Sequence, residues 1–146
     1  MLQPNSRWYS GSGINRHVWL ILTNPVHIEV SGGLYVTTPV ITENTAEVRV
    51  AATIVNSGSK TESIVLRTEL MDPAGRVVAS VTGNSAVPSG QTIQVTQEIP
   101  VNKPSLWSPD EPDLYTAKAS VLINDEVVDE LSTHFGIRSI RIDSKI

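Results

Sequence analysis

Apolar and polar residues alternate along most of this chain with a period of two. Ala46, Val48, Val50, Ala52 and Ile54 share one side of a run whose other side carries Glu47, Arg49, Ala51 and Thr53. That is the pattern of a strand with one buried face. Ile64, Leu66 and Leu70 repeat it against Arg67 and Glu69, and Ile93, Val95 and Ile99 against Gln94, Thr96 and Glu98. Tyr115, Ala117, Ala119, Val121 and Ile123 form a further inward face opposed by Lys118 and Ser120, which Leu131, Thr133 and Phe135 continue beyond a turn. No window of eleven residues keeps a 3.6 period, so the regular elements are strands.

The breaks between these runs carry turn chemistry. Asp72-Pro73-Ala74-Gly75 and Val87-Pro88-Ser89-Gly90 both place proline second and glycine fourth, as a type I turn favours. Asn56-Ser57-Gly58 parts two strands, and Asn124-Asp125 suits the positive φ angles of a tight hairpin. Pro100, Pro104, Pro109 and Pro112 crowd one stretch. Proline lacks the donor that a central strand needs, so this stretch reads as a long crossover between sheets. About seven antiparallel strands with one such crossover predict an all-β, immunoglobulin-like β-sandwich rather than a closed barrel.

The first residues fit that sandwich less well. Residues 1 to 13 are polar, aromatic and glycine-rich, and His17 to Thr23 reads as a strand with little alternation, ended by Asn24-Pro25. A strand apolar on both sides is normally covered on both sides. At the other end, Phe135-Gly136-Ile137-Arg138-Ser139-Ile140-Arg141-Ile142-Asp143 is again strand-forming, whereas domain ends are usually polar and frayed. The expectation is a module of a longer protein, with residues 1–25 as the tail of a preceding domain, 26–136 as the sandwich and 137–146 as a connection onward.

Composition narrows the function classes. A chain of 146 residues suits one domain, and at that size roughly 70% of the unfolded surface is buried on folding. The absence of cysteine removes disulfides and thiolate metal sites and fits cytosolic and periplasmic proteins alike. The net charge is −4, with both signs scattered along the chain. There is no basic stripe for nucleic acid and no polybasic patch for a membrane surface. The longest apolar run, Val18 to Leu22, is far short of the ~20 residues that span a bilayer.

Three separated motifs carry a family resemblance. Arg7-Trp8-Tyr9-Ser10-Gly11-Ser12-Gly13-Ile14, with Arg16 and Val18-Trp19-Leu20, resembles the end of the sugar-binding jelly-roll domain of glycoside hydrolase family 2. That family includes β-galactosidases, β-glucuronidases and β-mannosidases. Leu106-Trp107-Ser108-Pro109, Pro112 and Leu114-Tyr115, then Phe135-Gly136-Ile137-Arg138, resemble the later part of its immunoglobulin-like second domain. The chain departs from the pattern at Asn15, where an aromatic residue is usual, and at His17, where Asp or Asn is common. The resemblance implies a retaining, β-galactosidase-like glycosidase whose two catalytic glutamates lie on a downstream (β/α)8 barrel beginning just after Asp143. Retention needs carboxyl groups about 5 to 5.5 Å apart, and the resemblance assigns neither of them to this chain.

The remaining residues give no competing site. Asp110, Glu111 and Asp113 could hold calcium, but the interleaved prolines make a solvated loop the default. Asp125-Glu126 and Asp129-Glu130 read as a charged turn and edge that resist aggregation. His17, His27 and His134 have no ligand spacing, no Gly-x-Ser-x-Gly elbow occurs, and Gly11-Ser12-Gly13 is a turn rather than a dinucleotide loop. Trp107 and Tyr115 read as core or corner packing, with Trp8 and Tyr9 the exposed pair. No catalytic, cofactor or metal residue is therefore assigned. Arg16, Trp19, Trp107 and Arg138, at the inferred boundaries, are the candidate interdomain residues. Arginine suits that role because its planar guanidinium bridges carboxylates in fixed geometry. The expected partners are the neighbouring jelly-roll and barrel domains, with carbohydrate engaged only through the parent enzyme. A stand-alone adhesion or carbohydrate-binding sandwich, or a chaperone-like or tandem fibronectin-type module, are the alternatives. The orphaned run from His17 to Thr23 predicts self-association that deletion of residues 1–25 abolishes.

Overall fold

A computed structural model of the chain describes residue 13 and residues 16–140. Eight antiparallel strands form two four-stranded sheets. They are β1 (Val26–Ile28), β2 (Leu34–Ile41), β3 (Thr45–Asn56), β4 (Glu62–Met71), β5 (Val77–Val87), β6 (Thr92–Asn102), β7 (Tyr115–Ile123) and β8 (Glu126–Phe135). One sheet is β5-β4-β7-β8, and the other is built around β3. β6 pairs along β3 from Thr45 to Val55, so β1 and β2 must share the opposite side. β1 takes Ile54 to Asn56 and β2 takes Ala46 to Ala52. One edge is thus divided into two strands by the loop around Gly32 and Gly33, which accounts for eight strands where about seven are expected.

The alternating faces meet as the sequence predicts. Val48, Val50, Ala52 and Ile54 of β3 face Leu66 and Leu70 of β4 and Ala117, Ala119 and Val121 of β7, all with no exposed surface. Burying a side chain of this kind is worth roughly 1.5–3 kcal/mol. Two apolar clusters fill the two ends of the sandwich, one with Leu66 and Ile54, the other with Leu70, Tyr115 and Ile137. Between them, on the same face of β4, stands Thr68. Its hydroxyl donates to Gln97 Oε1 at 2.6 Å, and Gln97 Nε2 donates to the Leu66 carbonyl at 3.0 Å. A polar pair therefore ties β6 of one sheet to β4 of the other at the waist of the core.

Two of the turns form as the sequence predicts, and one is shifted by a residue. Gly75 N–H donates to Asp72 O at 2.8 Å, closing the expected turn. The next turn is shifted by one residue, because Gln91 N–H donates to Pro88 O. Gly90 is then third, with φ +67°, the left-handed position of a type II turn. Asn124 and Asp125 have φ of +51° and +66°, the two positive angles of a type I′ hairpin. Pro100 belongs to β6 rather than to the crossover. β6 pairs only with β3, and an edge strand tolerates a missing donor.

His17 to Thr23 does not form the expected strand. These residues lie in no ladder, and Val18, Trp19, Leu20, Ile21 and Leu22 are between 58% and 87% exposed. The physical reason is the lack of a partner: no edge of either sheet pairs with them. Trp8 and Tyr9, the Gly11-Ser12 turn and the Arg141-to-Asp143 stretch lie outside the described residues.

Candidate functional site at the Trp107–Arg138 corner

The proline-rich crossover from β6 to β7 is fastened at several points. Lys103 N–H donates to Asn44 O at 2.7 Å, and Ser105 N–H donates to the Tyr115 hydroxyl at 2.9 Å. Ser108 and Glu111 close a turn on each other, with Ser108 N–H donating to Glu111 O and Glu111 N–H to Ser108 Oγ. Prolines supply little of this directly, but their fixed φ lowers the entropy lost on ordering the segment. The result is a stiff strap that holds Trp107 against the end of β8.

Trp107 is the centre of the corner. Its N–H donates to the carbonyl of Ile137 at 2.9 Å, and Ile137 is fully buried in the core. Gly136 lies against the tryptophan: a Cβ built there would sit 2.8 Å from Trp107 Cβ and 2.9 Å from Cγ. Only glycine leaves room for that approach. Phe135 packs its ring 5.8 Å from that of Tyr115, its register partner across β7 and β8. Arg138 then folds its guanidinium over the Trp107 ring, 4.7 Å from the centroid, a cation–π contact. The Thr38 hydroxyl reaches the Arg138 carbonyl at 3.4 Å. An open groove of about 520 Å³ lies beside this pair, walled by Val36, Thr37, Leu114 and His134.

Of the four candidate interdomain residues, the structure brings Trp107 and Arg138 together. Arg16 and Trp19 are exposed ahead of β1 and do not line the groove. Trp19 instead stacks on His17, with ring centroids 5.9 Å apart. Tyr115 is buried and Trp107 half-buried, which matches the expected core and corner packing.

The other titratable groups serve the scaffold. Asp72 Oδ1 accepts from the N–H groups of Ala74 and Arg76, both at 2.9 Å, and Oδ2 pairs with the Arg76 guanidinium at 2.6 Å. Those bonds, the Arg76 N–H foremost, hold the Asp72 carboxyl below the usual carboxylate range. Glu130 bridges Lys118 and the Ser120 hydroxyl, both at 2.9 Å, and its pKa is lowered chiefly by the lysine. Asp129 accepts the Ile28 N–H at 2.7 Å, stitching β8 to β1 across the two sheets. Asp129 and Glu130 thus do more than charge an edge. Arg49 pairs with Glu98 at 2.8 Å on the outer face. His27 Nδ1 donates to Asn24 O, and His134 Nδ1 is hydrogen-bonded to Thr116 Oγ1 at 3.0 Å. Among the described residues no three His, Asp or Glu side chains converge as a metal site.

Sequence reasoning misses the inward polar groups. Gln97 lies in phase with Ile93, Val95 and Ile99, so alternation could have found it. Asn56 has no exposed surface; its Nδ2 donates to Lys60 O and Val87 O, and its Oδ1 accepts from Gly58 N–H.

Comparison with known proteins gives a consistent pattern. The profile described as glycosyl hydrolases family 2 matches residues 26–138. Beta-galactosidase BoGH2A of Bacteroides ovatus is 40% identical over 143 residues, covering 98% of this chain and 17% of its own length. A beta-glucuronidase of Formosa agariphila is 31% identical over 143 residues, covering 92% and 15%. The crystal structure of a glycosyl hydrolase family 2 member from Bacteroides cellulosilyticus superposes with a TM-score of 0.84 at 39% identity, covering 94% of this chain and 18% of that one. The chain spans under a fifth of the length of these relatives.

Proposed function

The chain belongs to the glycosyl hydrolases of family 2, and from that membership we propose that it is a noncatalytic, immunoglobulin-like spacer within a larger retaining glycosidase. The parent hydrolyses terminal β-glycosides, with galactosides the first substrate class to try. The residues now numbered 1–25 would complete a jelly-roll domain, and the polypeptide beyond 137 would lead into the catalytic barrel. The sandwich holds these two neighbours in a fixed relation, so that loops from both complete one cleft.

One observation carries this reading: the carboxylates that the fold engages are committed to holding it together. Asp72 fixes a turn, Asp129 joins the sheets, Glu130 binds Lys118, and Glu98 binds Arg49. A retaining mechanism needs two carboxyls facing each other at about 5 to 5.5 Å across a sugar-sized cleft, and these four do other work. The strapped Trp107 corner supports the positional role, since a spacer is useful only if its ends are rigid.

The purified chain, assayed against nitrophenyl β-galactoside and β-glucuronide, should release no nitrophenol above the blank. Measurable turnover would reject the spacer role. Specific millimolar-or-better sugar binding in calorimetry would favour a carbohydrate-binding module instead.

A further inference from the structure

We propose that the groove beside Trp107 and Arg138 is a socket for one carboxylate side chain, an Asp or Glu of the protein segment that packs on this end of the sandwich in the parent enzyme. The inference rests on the spacer reading and gives that contact its chemistry.

Charge is the first argument. The chain carries a net charge of −4, yet no acidic residue lines the groove, which holds the Arg138 guanidinium and the His134 imidazole. Arg49, Arg76, Lys60 and Lys118 each lie within 3.6 Å of a carboxylate, whereas Arg16, Arg67 and Lys103, none of which lines the groove, are in no ion pair among the described residues. Arg138 makes no such pair among the described residues.

Preorganisation is the second. Trp107 lies beneath the guanidinium at 4.7 Å, and the Arg138 backbone follows the buried Ile137 and reaches Thr38. Stacking uses the π face of the guanidinium and leaves its in-plane N–H donors for a carboxylate. His134 has Nδ1 engaged by Thr116, which sets the ring and leaves Nε2 as a second polar group at the socket. The apolar walls of Val36 and Leu114 reduce screening around the incoming charge.

A protein side chain fits better than a sugar acid. A pyranose would need the Trp107 face on which Arg138 already lies. The family match also runs to Arg138 itself, while the relatives are several times longer.

Hydrogen exchange on the 146-residue chain and on the full-length enzyme tests the socket. Amides 134–138 should be protected more strongly in the full-length enzyme, and Arg138→Gln should remove roughly tenfold or more of that added protection. Arg138→Lys keeps the charge but loses the fork and much of the stacking, so it should fall between. In the isolated chain Arg138→Gln should leave exchange within about threefold of the parent sequence, since no partner is there to lose. Added protection that survives Arg138→Gln would overturn the socket while leaving the spacer reading intact. Equal exchange in the chain and the full-length enzyme over the whole sandwich would overturn the spacer reading itself. Saturable amide shifts at the groove with about 10 mM free glucuronate would reassign it to a sugar acid.

Discussion

Adding one methyl group at Gly136 tests whether the corner is packed as described. In Gly136→Ala the new carbon would stand 2.8 Å from Trp107 Cβ, 2.9 Å from Cγ and 3.1 Å from Cδ1, against an optimal carbon–carbon separation of about 3.5–4.0 Å. Neither side can retreat freely. Trp107 is hydrogen-bonded to Ile137 O and covered by Arg138, and Ile137 is fully buried. Overpacking of this kind costs about 1–3 kcal/mol. Gly136 is not among the glycines with left-handed φ, so alanine also restricts the unfolded chain and returns about 0.4–1 kcal/mol. The net expectation is a destabilisation of about 1–2 kcal/mol. With an unfolding entropy near 2.1 cal/mol/K per residue, 146 residues give about 0.3 kcal/mol/K, and the melting temperature should fall by about 3–6 °C. Urea and thermal unfolding measure it, with near-UV circular dichroism reporting the displaced indole. A variant as stable as the parent sequence, or more stable, would refute the close packing of Gly136 on Trp107.

Other consequences can be checked on the same protein. Thr68→Val removes the donor to buried Gln97 Oε1 and should lower urea stability by about 1–3 kcal/mol without changing the m-value; an unchanged midpoint would show that the pair contributes nothing. The Asp72 carboxyl titrates below its ordinary value of 3.8 in the folded chain. The unfolded chain therefore binds more protons between the two values, so this contribution is whole above the ordinary value and lost as pH falls through the lower one. Asp72→Asn should flatten the decline in urea midpoint below about pH 4, and a parallel decline would contradict the assignment. Five consecutive exposed apolar residues from Val18 to Leu22 should drive self-association. Deletion of residues 1–22 should restore a monomer by light scattering while sparing Asn24 and Pro25, which hydrogen-bond to Val128 and Ser57. A monomer before and after deletion would remove that inference.

Much of the fold was legible because a sheet with one buried face imposes a period of two. β3, β4 and β6 follow that rule residue by residue, and β7 does so as far as Ala119, beyond which Ser120 and Leu122 are buried as well. β5 escaped it, since Ser80, Thr82, Gly83, Asn84 and Ser85 blunt the contrast between its faces. Part of that blandness is structural: a Cβ at Gly83 would lie 3.3 Å from Gln97 Nε2, so the small residue makes room for the polar waist. The N-terminal apolar run misled in the opposite way. Apolarity marks a segment that wants covering, but a strand also needs a ladder to join, and this segment pairs with no edge of either sheet. Trp107 and Arg138 were legible as members of the Leu106–Tyr115 and Phe135–Arg138 motifs. Their stacking, and Gly136 as its cause, were not, because the contact depends on how a 12-residue crossover from Lys103 to Leu114 returns to the end of β8.

The role proposed for the sandwich is positional. It is tested most directly by shifting that position in the full-length enzyme. A Gly-Ser insertion between Arg138 and Ser139 should lower kcat/KM on a nitrophenyl β-glycoside by on the order of 10²-fold, because a misplacement of about 1 Å already has an effect of that size. The same insertion at the Asn124-Asp125 hairpin tip should leave turnover unchanged. Full activity with the insertion at Arg138 would contradict a positional role for this domain.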